Sequence, residues 1–124
     1  MSLIILGGSG FLGNSLVNKL KEREIPFRLM LHKKIIDEKD CFFGDCTKKE
    51  FLDDHVSDND IIINLVGQQN GDLFEENIKT AVNLLNSVIK KKNIRIIFAS
   101  SIEVYGETSF KASGENELPK PFSQ

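Results

Sequence analysis

The chain has 124 residues, a formal charge of −2, 40% hydrophobic and 27% charged residues, with nine glycines and three prolines. That length suits one domain with an ordinary core, and the balanced composition excludes a disordered chain. The slightly acidic charge argues against nucleic acid or a membrane as the main partner, since both reward a basic excess.

Taken in chain order, Leu3-Ile4-Ile5-Leu6 is a short apolar run that stops at glycine, as a strand buried on both faces does. It is no signal peptide, lacking a basic start and sufficient length. Phe11, Leu12, Leu16, Val17 and Leu20 recur at helical spacing, with Lys19, Lys21, Glu22 and Arg23 on the other side and Pro26 at or after the end. Phe27 to Leu31 reads as a second strand and Cys41-Phe42-Phe43 as a third. Thr47 caps a small predicted helix carrying Phe51, Leu52 and Val56, with Glu50 completing a capping box. Ile61 to Val66 is a fourth strand. Phe74, Ile78, Ala81, Val82, Leu85, Val88 and Ile89 define a long amphipathic helix, with Lys90, Lys91 and Lys92 in its last turn, where cations meet the negative end of the dipole. Ile94 to Ala99 is a fifth strand, and residues 107–124 read as a loop-like tail.

No apolar run approaches the roughly 18 residues that span a membrane. Cys41 and Cys46 match neither a CxxC redox pair nor a zinc quartet. The expectation is a cytoplasmic chain with reduced cysteines and no metal site. Strands alternating with helices imply right-handed crossovers, hence an α/β, Rossmann-type doubly wound parallel sheet. The expected strand order is 3-2-1-4-5, one domain over residues 1–124. No apolar segment follows Ala99, so the sheet stops at five strands with an exposed edge, which predicts self-association.

Between the first strand and the first helix lies Gly7-Gly8-Ser9-Gly10-Phe11-Leu12-Gly13. Glycines there turn the chain sharply, admit a pyrophosphate to bare backbone, and let the helix pack on the strand. The amides at the helix start then face the phosphates with the positive end of the dipole. A P-loop also aligns, as Gly8, four residues, Gly13, Asn14 and Ser15, but Asn14 replaces the lysine that contacts phosphate. The placement points to a dinucleotide. Near the end of the second strand, an acid would bind the ribose hydroxyls of NAD, and a cation would accommodate the extra phosphate of NADP. Here His32-Lys33-Lys34 stands there, with no acid until Asp37, which favours NADP over NAD. The same lysines also read as a solvated turn.

In five ordered places the chain resembles the NAD(P)-dependent epimerase/dehydratase family, the extended short-chain dehydrogenase/reductases. These are Leu6 to Gly13, Gly44-Asp45, Ile63-Asn64-Leu65-Val66-Gly67, Asn77 opening the long helix, and Phe98-Ala99-Ser100-Ser101-Ile102-Glu103-Val104-Tyr105-Gly106. The resemblance implies cofactor binding by Gly7, Gly10, Phe11, Leu12 and Gly13 through the phosphate loop. It gives Asp45, with Cys46 beside it, the adenine amino group. Leu65, Val66 and Gly67 would line the adenosine and ribose side. Asn77 lies on the cofactor side of its helix, and Ser100 joins the same set as His32 and Lys33. Ser101, four residues before Tyr105, is the catalytic candidate: a hydroxyl donor at the reacting substrate oxygen stabilises the charge developing there. Glu103 stands where some sugar dehydratases carry a base, but apolar Ile102 departs from their paired acids, and a solvated carboxylate is the simpler reading. Leu6 for threonine, Asn64 for histidine and Thr80-Ala81 for Gly-Thr are further departures.

The family's catalytic tyrosine belongs to a Tyr-x-x-x-Lys pair, in which lysine lowers the tyrosine's pKa for proton transfer. Tyr105 is the only tyrosine here and position 109 is serine. The chain therefore reads as the amino-terminal, nucleotide-binding part of an enzyme acting on a nucleotide sugar, similar to a UDP-glucose 4-epimerase. On that reading it catalyses little alone. The alternative is a non-catalytic NAD(P)-binding regulatory or redox-sensing module. A phosphate-receiver or flavodoxin-like domain is disfavoured, because glycines stand where acids or a flavin-phosphate loop belong.

Overall fold

The computed structural model describes residues 1–32, 41–67, 73–106 and 114–121. Its elements are β1 (Leu3–Leu6), α1 (Phe11–Glu22), β2 (Arg28–Leu31), β3 (Cys41–Phe43), α2 (Lys49–His55), β4 (Ile61–Asn64), α3 (Leu73–Val88), β5 (Arg95–Phe98) and a 3₁₀ turn, Ile102–Tyr105. The five strands form one sheet in the order β3-β2-β1-β4-β5, and every neighbouring pair is parallel, as expected. The readings of Lys33, Lys34, Asp37, Ser109 and the Phe74 side chain lie outside the described residues. So do residues 107–113 and 122–124 of the tail, while 114–121 contain no helix or strand.

The apolar run of β1 is explained by helices on both faces of the sheet. Ile4 and Leu6 join Met30, Ile62, Leu52, Val56 and Leu84 beneath α2 and α3, whereas Ile5 joins Leu29, Leu31, Val17 and Leu20 beneath α1. Ile4, Ile5 and Leu6 are fully buried, and each such side chain contributes roughly 1.5–3 kcal/mol.

α1 ends in a Schellman motif. Glu24 takes the left-handed conformation (φ 54°), its amide bonds the Lys21 carbonyl at 3.0 Å, and the Ile25 amide reaches back to Leu20 at 2.9 Å. Pro26 follows and prevents continuation. The opposite end of the sheet is tied by Asp60, whose carboxylate, only 2% exposed, accepts the Ser2 amide at 2.7 Å and the Ser57 amide at 2.9 Å.

Four expectations need correction. Thr47 does not cap α2: Lys48 holds that position, no side chain caps the helix, and the Thr47 hydroxyl and amide both donate to Asp45 Oδ1, at 2.6 and 2.8 Å. An acceptor two residues upstream captures the donors that a capping box would have used. Phe11 and Leu12 do not pack with the buried face of α1: they are 90% and 59% exposed, because the first turn overhangs the end of the sheet. Among the described residues of α3 the buried positions are Thr80, Leu84 and Ser87, while Ile78, Val82, Leu85 and Ile89 are about half exposed or more. Finally, Lys90, Lys91 and Lys92 follow α3 instead of forming its last turn. There the Lys91 amide folds back to Val88, the Lys92 amide bonds Asp58 Oδ1 at 2.9 Å, and Asn93 turns left-handed (φ 55°).

Candidate functional site

The carboxyl ends of parallel strands, beside the switch between β1 and β4, are where open α/β sheets hold ligands. Here β1 stops at Leu6 and the chain turns through Gly7 with φ 77°, a conformation that disfavours a side chain. A Cβ on Gly7 would lie 2.8 Å from the Leu65 carbonyl carbon, so the loop after β1 rests directly on the backbone leaving β4. A Cβ on Gly13 would lie 2.3 Å from the Gly7 carbonyl oxygen, which holds α1 equally tight to the loop. The Gly10 amide donates to that same oxygen at 3.1 Å.

Gly10 is also the residue before α1, and no side chain caps the helix. The first-turn amides of Phe11, Leu12 and Gly13 have no acceptor within the helix. With no acidic residue in that turn, they present bare donors and the positive end of the dipole to an anion. The loop leads into a cleft of about 260 Å³, lined on this side by Gly7, Ser9 and Gly10.

The far wall comes from the ends of β2 and β3. Met30, Leu31 and exposed His32 close one side, and Asp45, Cys46 and Thr47 follow β3. The two Thr47 hydrogen bonds, the side-chain one above all, hold the Asp45 carboxyl below the usual carboxylate range, against the opposing effect of burial; His32 and Lys48 add positive charge nearby. Burial pushes the neighbouring Cys46 thiol up to about 11, assisted by the Asp45 charge, so it is a packed side chain and no nucleophile. Asn83 of α3 donates to the Thr47 carbonyl at 2.6 Å and fixes this turn.

Leu65, Val66 and Gly67 form the floor after β4. Asn64 is 4% exposed, and its Oδ1 accepts the Val66 amide at 3.0 Å, so the residue standing for a common histidine shapes the floor. Glu76, Asn77 and Thr80 complete the lining from α3, with the Thr80 hydroxyl bonded to the Glu76 carbonyl at 3.0 Å.

The cleft thus gathers Gly7, Gly10, His32, Asp45, Cys46, Leu65, Val66, Gly67 and Asn77 of the sequence candidates. Phe11, Leu12 and Gly13 adjoin it through the loop without lining it, and Lys33 is outside the described residues. Ser100 and Ser101 do not line it either: both are exposed after β5, and the Ser101 Oγ accepts the Glu103 amide at 3.2 Å, capping the 3₁₀ turn. Sequence reasoning missed Ser9, Met30, Leu31, Thr47, Glu76 and Thr80. Helical spacing around Asn77 contained the signal for the last two, since Thr80 lies one turn on.

A family model described as the NAD dependent epimerase/dehydratase family matches residues 3–124. The chain belongs to this family. A search of curated proteins found no match. Among solved structures, UDP-glucose 4-epimerase from Thermus thermophilus, in complex with NAD, is 23% identical with a TM-score of 0.80, covering 98% of this chain and 45% of that one. For dTDP-glucose 4,6-dehydratase from Bacillus anthracis, in complex with NAD, the values are 22% and 0.79, covering 99% and 45%. For UDP-N-acetylglucosamine 4-epimerase from Bacillus cereus they are 24% and 0.77, covering 98% and 43%. The likeness to these family members is one of fold, and the chain spans under half the length of each. Among the described residues, no helix is long and apolar enough to cross a membrane.

Proposed function

We propose that this chain is the nucleotide-binding part of an NAD(P)-dependent epimerase, dehydratase or reductase acting on a nucleotide sugar, with NADP preferred over NAD. The observation that carries the reading is the single cleft in which the bare amides of the glycine loop, the Asp45 carboxylate and the Leu65–Gly67 floor converge. A dinucleotide fits that donor set: unpaired amides for a diphosphate, a carboxylate held ionised for the adenine amino group, and an uncharged floor for the nucleoside. Backbone of Gly10 to Gly13 binds the diphosphate, and Thr47 orients Asp45 by holding one carboxylate oxygen, leaving the other for the ligand. His32, with Lys33 beyond it in the sequence, favours an additional phosphate on the adenosine ribose. The nicotinamide, when bound, supplies removal and return of hydride at a sugar carbon. In the assembled site the Ser101 hydroxyl donates to the reacting oxygen; its accepted bond from Glu103 leaves its own proton available.

These 124 residues contain no Tyr-x-x-x-Lys pair, and general acid–base groups contribute about 10²–10⁴-fold. Hydride transfer by this chain should therefore lie at least ~10²-fold below that of a relative possessing the pair. Calorimetric titration with NADPH and NADH tests binding: NADPH should bind several-fold tighter. Equal affinities would remove the NADP preference, and absence of both at millimolar concentration would remove the whole reading. The exposure of Ser100 and Ser101 outside the cleft favours a second reading, a non-catalytic NAD(P)-binding module. Full binding with no turnover, even after the chain is supplied with a Tyr-x-x-x-Lys half, would select it.

A further inference from the structure

Asp45 gives one carboxylate oxygen to Thr47, so the aim of the other depends on whatever holds the turn that carries both residues. That turn runs from Asp45 to Lys48 and is closed by the Lys48 amide on the Asp45 carbonyl at 2.8 Å. Cys46, 7% exposed, sets its depth by packing in the cluster that contains Leu84 of α3. Apolar burial has no direction, and it leaves the turn free to rock about that anchor. On the strand side α2 limits the movement: a Cβ on Gly44 would stand 2.3 Å from the Phe51 ring.

A directional tie comes from the residue next to Leu84. Thr47 precedes Lys48, the cap position of α2, so its carbonyl lies outside the hydrogen-bond ladder of that helix. Half-buried Asn83 donates to this carbonyl at 2.6 Å, across 36 positions of sequence. A carbonyl only accepts, which assigns the contact to the amide nitrogen of Asn83. Asn83 lies on the same face of α3 as Glu76, Asn77 and Thr80, which line the cleft. One helix face thus supplies part of the cleft wall and, nearly a turn further on, the grip on the turn that completes it.

We propose that Asn83 is a positioning residue of the cleft: by holding the Thr47 carbonyl to α3, it aims the free Asp45 oxygen at the adenine amino group of a bound dinucleotide. This role rests on the proposed contact between Asp45 and adenine. A carboxylate recognises an amino group only where an N–H points at it, and hydrogen bonds weaken steeply below about 120°. Without the Asn83 bond the turn keeps its internal hydrogen bonds and Cys46 stays buried. The turn then rocks, and Asp45 no longer distinguishes a donor from an acceptor on the base.

Titration of the whole chain with NADPH and with its hypoxanthine counterpart, in which a carbonyl oxygen replaces the adenine amino group, reads this selectivity. The parent should bind NADPH at least about tenfold tighter, as expected for one hydrogen bond to a charged group. Asn83→Ala should bring the two affinities within about threefold of each other, while Tm falls by no more than about 5 °C. Asn83→Asp, the same size with an oxygen in place of the donor, should lose the ratio equally, so the test survives failure of one variant to fold. In a chain already carrying Asp45→Ala, Asn83→Ala should change NADPH affinity less than about twofold, because the group it aims is gone. Asp60→Ala, which disturbs the opposite end of the sheet, should keep the parent's ratio and so separates positioning from lost stability. A parent that does not discriminate would remove the adenine contact and this role together. A parent that discriminates, with Asn83 variants that still do, would overturn the positioning role alone. So would a large further loss in the Asp45→Ala chain, or loss of the ratio in Asp60→Ala.

Discussion

Gly13 couples the stability of the fold to the shape of the site, and Gly13→Ala measures that coupling. The added Cβ would stand 2.3 Å from the Gly7 carbonyl oxygen, 2.6 Å from the Gly8 Cα and 2.7 Å from the Gly8 carbonyl carbon. All three are backbone atoms, so no side-chain rotation relieves the contact. Gly7 is itself wedged against Leu65 and Val66, which prevents the loop from retreating toward β4. The start of α1 must instead lift by about 1 Å, at a cost of roughly 2–3 kcal/mol for overpacking. For a chain of this size that lowers Tm by about 10 °C. Lifting α1 also moves its first-turn amides, and losing one charge-assisted hydrogen bond weakens dinucleotide binding about 10- to 100-fold.

Gly10→Ala is the matched control. Gly10 has φ −77° and ψ 178°, which alanine adopts without strain, and its Cβ would come no nearer than 3.3 Å to the Gly7 oxygen. The change should cost under about 1 kcal/mol of stability. It nevertheless places a methyl group on the cleft lining, so binding should fall about tenfold. Thermal melts by circular dichroism and titration with NADPH, read by fluorescence, measure both quantities on each variant. A Gly13→Ala protein that melts and binds like the parent would refute the steric account of the loop. A Gly10→Ala protein with unchanged affinity would refute the diphosphate position.

Asp60→Ala should destabilise by about 2 kcal/mol in urea titrations, because the amides of Ser2 and Ser57 lose their buried acceptor. Cys46, 7% exposed with its thiol pushed up to about 11, should react with iodoacetamide at pH 8 at least ~100-fold more slowly than a free thiol, until denaturant is added. Mass spectrometry should find half-buried Cys41 labelled first. Asp45 has a folded-state pKa below its unfolded value, so its contribution is complete above about pH 3.9 and is lost as pH falls further. Melts of Asp45→Ala and the parent should therefore differ by a small, constant amount from pH 5 to 7 and converge in stronger acid. Divergence on acidification would reverse the sign of that linkage. The effect is small because much of the carboxylate faces solvent.

The fold was legible where burial acts on both faces of the sheet. β1 reads as an uninterrupted apolar run because α1 covers one face and α2 and α3 the other, and glycine marked where it ends. The glycine loop was legible for a different reason: Gly7 and Gly13 stand where a Cβ would strike backbone, and no other residue type lacks one. Sequence failed where two physical demands share one residue type. Thr47 has the hydroxyl of a helix cap, but Asp45 is nearer to it than the helix amides, and periodicity contains nothing about that competition.

The most informative failure is α3. Its aliphatic residues mark a seam at Ile78, Val82, Leu85 and Ile89, whereas the side chains it buries, among the described residues, are Thr80, Leu84 and Ser87. Thr80 and Ser87 tolerate burial because each hydroxyl donates to a carbonyl of its own helix, to Glu76 at 3.0 Å and Leu84 at 2.8 Å. With those polar groups satisfied internally, the helix buries two small hydroxyl residues on either side of Leu84 without an unpaired donor. Apolar periodicity reports which face of a helix needs cover and not which cover it has. The sheet was the nearest candidate in the sequence, but α3 turns Leu84 into the core and leaves Ile78, Val82, Leu85 and Ile89 about half exposed or more.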